Sequence, residues 1–381
     1  SDDYDDEGIN FANADNVFGT YKLYNKMLNS NKYLVDNAAF LKARLIDVYL
    51  GDWDRHFDQW RWAVYEDDEF KYCLPVPRDR DQAFCHYDGI IPFAMVLAIP
   101  QIENVAEDYP QINDLTWSGR YLDRKFLSNI DRRQWDSTAK YLHGLLTDSL
   151  IESCINLLPP EVYQKEGRRL RKVMYGRRDK FLEISEEYYL LLAKYCDVWA
   201  SDKDEFCYVN RLSDTAMEVK IYDLKKDGTK RSFPFFHRIF DTRETSQVRI
   251  LMHGGDDTVI VSGNVSVSPE VHVDGGSGKD YLLDSSCVNG FLPSPFSRKT
   301  YFYDKGDKSK LTGGFSTVID RREYPEAEDD TAFFEPAVRD WGHDWMASPW
   351  FAVNSDDGLF FGGGPVLTKY DFKYSPYFYQ M

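Results

Sequence analysis

Residues 51–62, GDWDRHFDQWRW, set three aspartates, one histidine and three tryptophans behind a single glycine. A second acidic run, VPRDRDQAF, follows at 76–84. Phosphoryl transfer asks for this kind of inventory. One carboxylate orients or deprotonates the acceptor hydroxyl, and carboxylate or amide oxygens hold Mg²⁺ against the phosphates. Along the chain these residues fall in a loop after a helix-like stretch and in a second loop after a hairpin-like one. The residues in question are Asp54, Arg55, His56 and Gln59 in the first run, and Asp79 and Asp81 before Phe84 in the second. The competing reading is a buried Asp/Arg ion-pair network that holds a loop. Sequence leaves open whether Asp52 and Asp58 are ligands or surface acids.

Two further segments could bind ions. GGSGKD at 275–280 follows VHVD and fits a G-G-x-G-x-D turn of the calcium-binding β-roll type, with GGDD at 254–257 as a degenerate partner upstream. Asp256, Asp257, Asp274 and Asp280 would offer Ca²⁺ hard oxygen ligands, against the plainer alternative of tight turns with solvated aspartates. GGSGKD is not a P-loop ending, because Val273 stands where the first glycine is needed and Asp280 replaces Ser/Thr. KEGRRLRKVMYGRRDK at 165–180 is basic inside an acidic chain. It reads as a solvated helix face paired with acids, or as a contact for anionic head groups.

These residues need elements to place them. Leu34, Ala38, Leu41, Leu45 and Val48 recur at helical spacing over 31–50, and Gly51 stops that helix. Residues 60–65 and 70–76 predict two strands around the turn EDDE. A long helix is expected over 131–158, with Leu142, Leu145, Leu146, Ile151 and Ile155 on one side and Pro159-Pro160 ending it. Further helices are expected at 161–175 and 177–198. Past Ser201 the chain turns to short β-like runs, of which 258–276 alternates well. From about 330 it is aromatic, Gly-rich and alternating, as a barrel strand and its turn would be. The fold class expected is α+β: a mostly helical domain at 1–200, a β-rich domain with Gly/Asp turns at 201–330, and the start of a β-barrel or its linker at 331–381.

The 381 residues carry a net charge of −17, which argues against nucleic acid, since phosphate neutralisation needs a basic face. The 16% aromatic content suits sheet and core and also a chain that meets a membrane interface. Six cysteines form no CxxC pair. Cys73 and Cys85 flank the second acidic run and could pair in an oxidising compartment. No run is apolar enough for a membrane-spanning helix and no signal peptide is evident. SDDYDDEG at the start reads as a cut end inside an acidic linker.

GDWDRHFDQ…RDRDQAF resembles the catalytic segment of the atypical kinases, namely HipA, CotH and the secretory-pathway casein kinases. The resemblance implies Asp54 as catalytic base, Arg55 and His56 as loop-ordering residues, and Gln59 as the first Mg²⁺ ligand with ATP. It implies Asp79 or Asp81 as the second ligand, with the spacing to Phe84 favouring Asp79 and the local DQAF favouring Asp81. Gln59 stands where most of these families have Asn, and no Gly-rich loop with a strand lysine precedes residue 51. Across nearly the whole chain, ARLIDVYLGDWDRHFDQWRW, PVPRDRDQAF, LLTDSLIESCINLLP, GRRDKFLEISEEYYLLLA, GGSGKDYLLDSS and NSDDGLFFGGG…YDFKYSPY are similar to large Bacteroidetes outer-membrane proteins with a BamA-type surface-antigen barrel. That likeness implies a periplasmic-facing module at the outer membrane of a Gram-negative bacterium, leading into a first barrel strand near residue 350. Its partners would be outer-membrane or periplasmic proteins, its membrane contact the missing barrel, and its role assembly or export. A phosphotransferase and a calcium-stabilised binding module are the alternatives.

Overall fold

The computed structural model describes residues 11–87, 104–289, 299–354 and 358–381; the acidic start at 1–8 lies outside the described residues. The fold is α+β, with helices and strands distributed over several sheets. The chain divides into two units, 1–321 and 322–381.

The first unit opens on a small sheet of strands β1 (Asn16–Gly19), β2 (Tyr33–Val35), β3 (Trp60–Glu66) and β4 (Lys71–Pro77), in the order β1-β3-β4-β2. Helix α1 (Thr20–Asn29) follows β1, and α2 (Asn37–Leu50) follows β2. The expected hairpin is the antiparallel pair β3–β4, with Trp60 opposite Pro77 and Glu66 opposite Lys71. Trp60 and Trp62 are two residues apart and so share a face of β3. Both are fully buried, Trp60 with its ring 4.8 Å from Phe40 of α2 and Trp62 4.7 Å from Phe126. Two of the three tryptophans in the opening run therefore belong to the core.

A short helix α3 (Ile112–Leu115) and α4 (Arg120–Leu127) lead to α5 (Arg132–Leu145), which begins on a capping box between Asp131 and Gln134. The single helix expected over 131–158 is two. Leu146 leaves helical geometry, and the Thr147 side chain accepts from the Leu150 N–H to start α6 (Asp148–Ile155). Helices α7 (Pro160–Asp179) and α8 (Phe181–Ala193) follow. The helix expected to reach 198 ends earlier, because Tyr195–Trp199 forms strand β5 and pairs with Gln247–Leu251. That run, YCDVW, is aromatic and β-branched, and a partner strand decides in favour of extended backbone.

From β5 the chain winds as a two-sheet solenoid. One sheet holds, in parallel, β5, β9 (Gln247–Leu251), β12 (Glu270–Asp274), β15 (Thr300–Tyr303) and β17 (Thr317–Asp320). The other holds β6 (Glu205–Ser213), β10 (Thr258–Ser262), β13 (Tyr281–Asp284) and β16 (Lys310–Thr312), also parallel. An antiparallel pair, β7 (Ala216–Asp223) and β8 (Phe236–Asp241), extends that second sheet beside β6. Successive turns carry the chain from one sheet to the other, two of them through the short parallel strands β11 (Asn264–Val265) and β14 (Cys287–Val288). The alternate residues Val209, Val219, Ile221, Val248, Ile250, Val259, Val261, Val271 and Val273 point inward as the common core. The composition boundary at 200/201 falls between β5 and β6, inside this unit.

The second unit contains helix α9 (Asp330–Phe334) and a meander of β18 (His343–Asn354), β19 (Gly358–Asp371) and β20 (Tyr374–Gln380). Both pairings are antiparallel, with Phe351 opposite Phe361 and Lys369 opposite Tyr379. Among the described residues no helix is long and apolar enough to cross a membrane.

Candidate functional site

Helix α2 aims the first acidic run. Its N-terminus is capped by Asp36, whose carboxylate accepts from the Ala39 N–H at 2.8 Å, and it stops at Gly51 in the left-handed region at φ 73°. A Cβ on Gly51 would also stand 2.5 Å from a Val105 methyl, so both backbone angle and space require glycine. The chain then turns through 52–56 into a short 3₁₀ turn, Phe57–Gln59, where the Asp58 N–H donates to His56 Nδ1 at 3.2 Å.

Arg55 brings the two acidic runs together. It is fully buried, and its Nη1 donates to the carbonyls of Arg78 at 2.6 Å and Asp79 at 2.8 Å. Its Nε donates to Asp47 Oδ2 at 3.1 Å, and its guanidinium lies 4.7 Å from the Trp60 ring. Asp47 on α2, also fully buried, is the hub: Oδ1 accepts from Arg80 at 2.9 Å, and Oδ2 accepts from Arg44 at 3.3 Å. Arg44 in turn grips Asp123 of α4 with two bonds, 2.6 and 2.8 Å. Arg55, grouped with Asp54 and His56 as a catalytic candidate, thus reaches no solvent and acts by positioning.

Asp52, whose place sequence left open, lies inside this network. It is 2% exposed, its nearest cation is Arg55 Nη1 at 3.6 Å, and neither carboxylate oxygen accepts a hydrogen bond. Burial pushes its pKa up to about 7, Asp47 adds to the rise, and Arg55 opposes it. Asp58 is a surface acid with its side chain 66% exposed.

The remaining candidates separate by depth. Asp54 is half-buried with His56 Nε2 at 3.9 Å, Gln59 is buried, and Asp79 and Asp81 are exposed. Asp79 adopts φ 47°, in the left-handed region. Arg55 brings the Asp79 backbone against the Asp54 loop, and the Gln59 carbonyl accepts from the Arg78 N–H at 2.8 Å. Among the described residues no three His, Cys, Asp or Glu side chains converge to hold a metal ion.

The Gly/Asp turns stack in the solenoid. Asp256 and Lys279 stand 23 residues apart on neighbouring turns, as do Asp257 and Asp280, and each later turn is bonded to the earlier one. Asp257 Oδ1 accepts from the Glu205 N–H, Asp280 Oδ1 from the Asp257 N–H, and Ser309 Oγ from the Asp280 N–H. Gly278, at φ 138°, passes so close to the Gly255 carbonyl that a Cβ there would lie 1.8 Å from its oxygen. Asp257, Asp280 and Glu205 are buried, and burial pushes their pKa values up to about 10, 7 and 8. Asp274 ends β12, where its carbonyl accepts from the Met252 N–H, while Asp256 accepts from the Lys279 N–H. These four residues serve the stacking of turns.

Two other expectations resolve plainly. The basic helix α7 pairs with acids: Arg171 with Glu152 and Arg169 with Glu166. Cys73 and Cys85 form no disulfide; all six cysteines are free.

No family model, curated protein or solved structure matches this chain.

Proposed function

We propose that the chain is the periplasmic module of an outer-membrane β-barrel protein of a Gram-negative bacterium, serving assembly or export through contacts with other envelope proteins. One observation supports the reading above others, the two-faced meander of the second unit. Register puts Trp345, Ala347 and Phe351 of β18 beside Leu359, Phe361, Pro365 and Leu367 of β19 on one face, and Met381 pairs beside Leu367. Trp345 is 72% exposed, and Phe351 and Phe361 are each 78% exposed. The other face alternates Asp344, Ser348, Gly362, Gly364, Thr368 and Gln380 with the apolar Met346 and Val366. An exposed apolar face, opposite one that gathers the polar residues among apolar ones, supports a lipid-facing barrel strand. Strands of 12 and 14 residues exceed the roughly 9–11 that cross a bilayer.

The test uses a Cys154→Ser/Cys287→Ser background, which removes the exposed thiols. An environment-sensitive dye is placed by Phe351→Cys or by Ser348→Cys. With vesicles of phosphatidylethanolamine and phosphatidylglycerol, the dye at 351 shifts to the blue and the dye at 348 does not. Equal behaviour at both positions, or no shift at either, sinks the reading.

A second reading, an atypical Mg²⁺-ATP-dependent phosphotransferase with Asp54 as base, draws support from the Arg55 clamp between the two acidic loops. Calorimetric titration of Mg²⁺-ATP decides it. Binding that is lost in Asp79→Asn or Asp81→Asn but kept in Asp54→Ala supports it, and absence of binding to the parent removes it.

A further inference from the structure

The outer face of the second solenoid sheet carries a cage of three rings. Cys207, Val209 and Ile221 point into the core, so the alternate residues Phe206 and Tyr208 of β6 and Tyr222 of β7 point outward. Register sets Phe206 opposite Tyr222, with Tyr208 two residues along the same face. The Phe206 and Tyr208 rings are 4.5 Å apart, and the Tyr208 and Tyr222 rings meet edge to face at 6.4 Å. All three residues are half-buried.

The cage holds an ammonium group of the chain's own. Lys230 Nζ lies 4.3 Å from the centre of the Phe206 ring, 4.5 Å from that of Tyr208 and 5.7 Å from that of Tyr222. It also donates to the Tyr208 hydroxyl at 2.9 Å. Among the described residues no carboxylate pairs with it. Its neighbours differ: Lys220 holds Glu218 at 2.8 Å, and Arg231 holds Asp223 at 2.6 Å. Rings and a hydroxyl, rather than an acid, hold Lys230. The face of an aromatic ring attracts a cation, and cages of such faces recognise ammonium ligands.

The occupant hangs from a surface turn. The Gly228 N–H donates to the Lys225 carbonyl at 2.8 Å, the Lys225 N–H to the Thr229 carbonyl at 2.8 Å, and the Thr229 N–H to the Asp227 carboxylate at 2.9 Å. These bonds are local, and residues 225–230 are exposed. The rings instead stand on paired strands over the core. Lys230 can therefore leave while the cage keeps its shape.

We propose that Phe206, Tyr208 and Tyr222 form a binding site for the ammonium group of a small amine, closed in this structure by Lys230 as an internal stand-in. The tethered lysine competes with any incoming amine, so the turn acts as a built-in brake on binding. The site is independent of the membrane reading and of the Asp54 loop.

Ethanolamine and choline are titrated separately into the full chain, with binding read by saturation-transfer NMR on the amine protons bound to carbon. The parent should bind weakly. Lys230→Ala should bind at least about threefold more tightly, because the tethered competitor is gone. Lys230→Gln, which keeps the length and removes the charge, should do the same and decides the matter if Lys230→Ala does not fold. Adding Tyr208→Ala to either variant should weaken binding about threefold or more. Dimethylbutanol, the uncharged carbon analogue of choline, should not displace it. Binding of ethanolamine alone assigns a primary amine that uses the Tyr208 hydroxyl, and binding of choline assigns quaternary ammonium groups as well. The proposal is overturned if neither amine binds the Lys230 variants saturably, if those variants bind no more tightly than the parent, if Tyr208→Ala leaves binding unchanged, or if dimethylbutanol displaces choline.

Discussion

Replacing Asp52 by Asn tests whether the buried carboxylate inside the Arg55 network strengthens or weakens the fold. Two opposing effects meet there. The pair with Arg55 at 3.6 Å favours the charged form, and burial with Asp47 nearby disfavours it. Burial wins, since the Asp52 pKa rises from 3.8 to about 7. The Arg55 guanidinium is shifted down for the same first reason, burial, with Asp47 and Asp52 opposing. A carboxyl whose folded pKa is raised contributes stability that is full below its unfolded pKa and is lost as pH climbs through the folded value. The window is therefore about pH 4 to 7. Roughly three units at about 1.36 kcal/mol each give roughly 4 kcal/mol of lost stability by the top of that window. Asn has the same shape and does not ionise. Asp52→Asn should match the parent near pH 4 and exceed it at pH 8. For the 321 residues of the first unit, an unfolding entropy of about 2.1 cal/mol/K per residue turns this into a melting temperature higher by about 6 °C. Calorimetry at the two pH values reads it. A variant that melts below the parent at pH 8 would refute the reasoning, because the ion pair with Arg55 would then outweigh desolvation. A stabilising Asn would mark Asp52 as a residue kept for something other than stability, as strained site residues often are.

Removing the hub has the opposite sign: Asp47→Ala leaves Arg44, Arg55 and Arg80 without their shared carboxylate and should lower unfolding free energy by about 3–5 kcal/mol in urea titration; a loss under about 1 kcal/mol would show that the guanidiniums find water instead. Gly278→Ala places a methyl on the Gly255 carbonyl, so hydrogen exchange in strands β10 and β13 should quicken while α2 and β3 stay protected. Uniform exchange across the unit would contradict a local role for that turn.

Much of the site's frame is legible in sequence. Helical spacing and Gly51 place α2 and its end, and alternation around EDDE places β3 and β4. These are local patterns, and the periodicity that marks them is the one that buries Phe40, Trp60 and Trp62. The network is not local. Asp123 meets Arg44 across 79 residues and Arg78 meets Arg55 across 23, and no spacing rule connects such pairs. Asp52 and Asp58 look alike in the text and differ because one lies beside Arg55 under Asp47 and the other on the outside of a 3₁₀ turn. Tyr195–Trp199 reads as the end of a helix until the strand at 247–251 is present to pair with it. The Gly/Asp turns are visible, yet their meaning as stacked rungs depends on parallel pairing between distant strands.

The parallel stacking of one rung on the next gives the solenoid an additive character. Each rung touches the one before and the one after, so information about a damaged rung travels along the stack and fades within a neighbour or two. The helical half, seated against the first strand, is the fixed end of that stack. Length can therefore be traded in whole turns at the far end, lengthening or shortening the stack while the Arg55 network stays where it is.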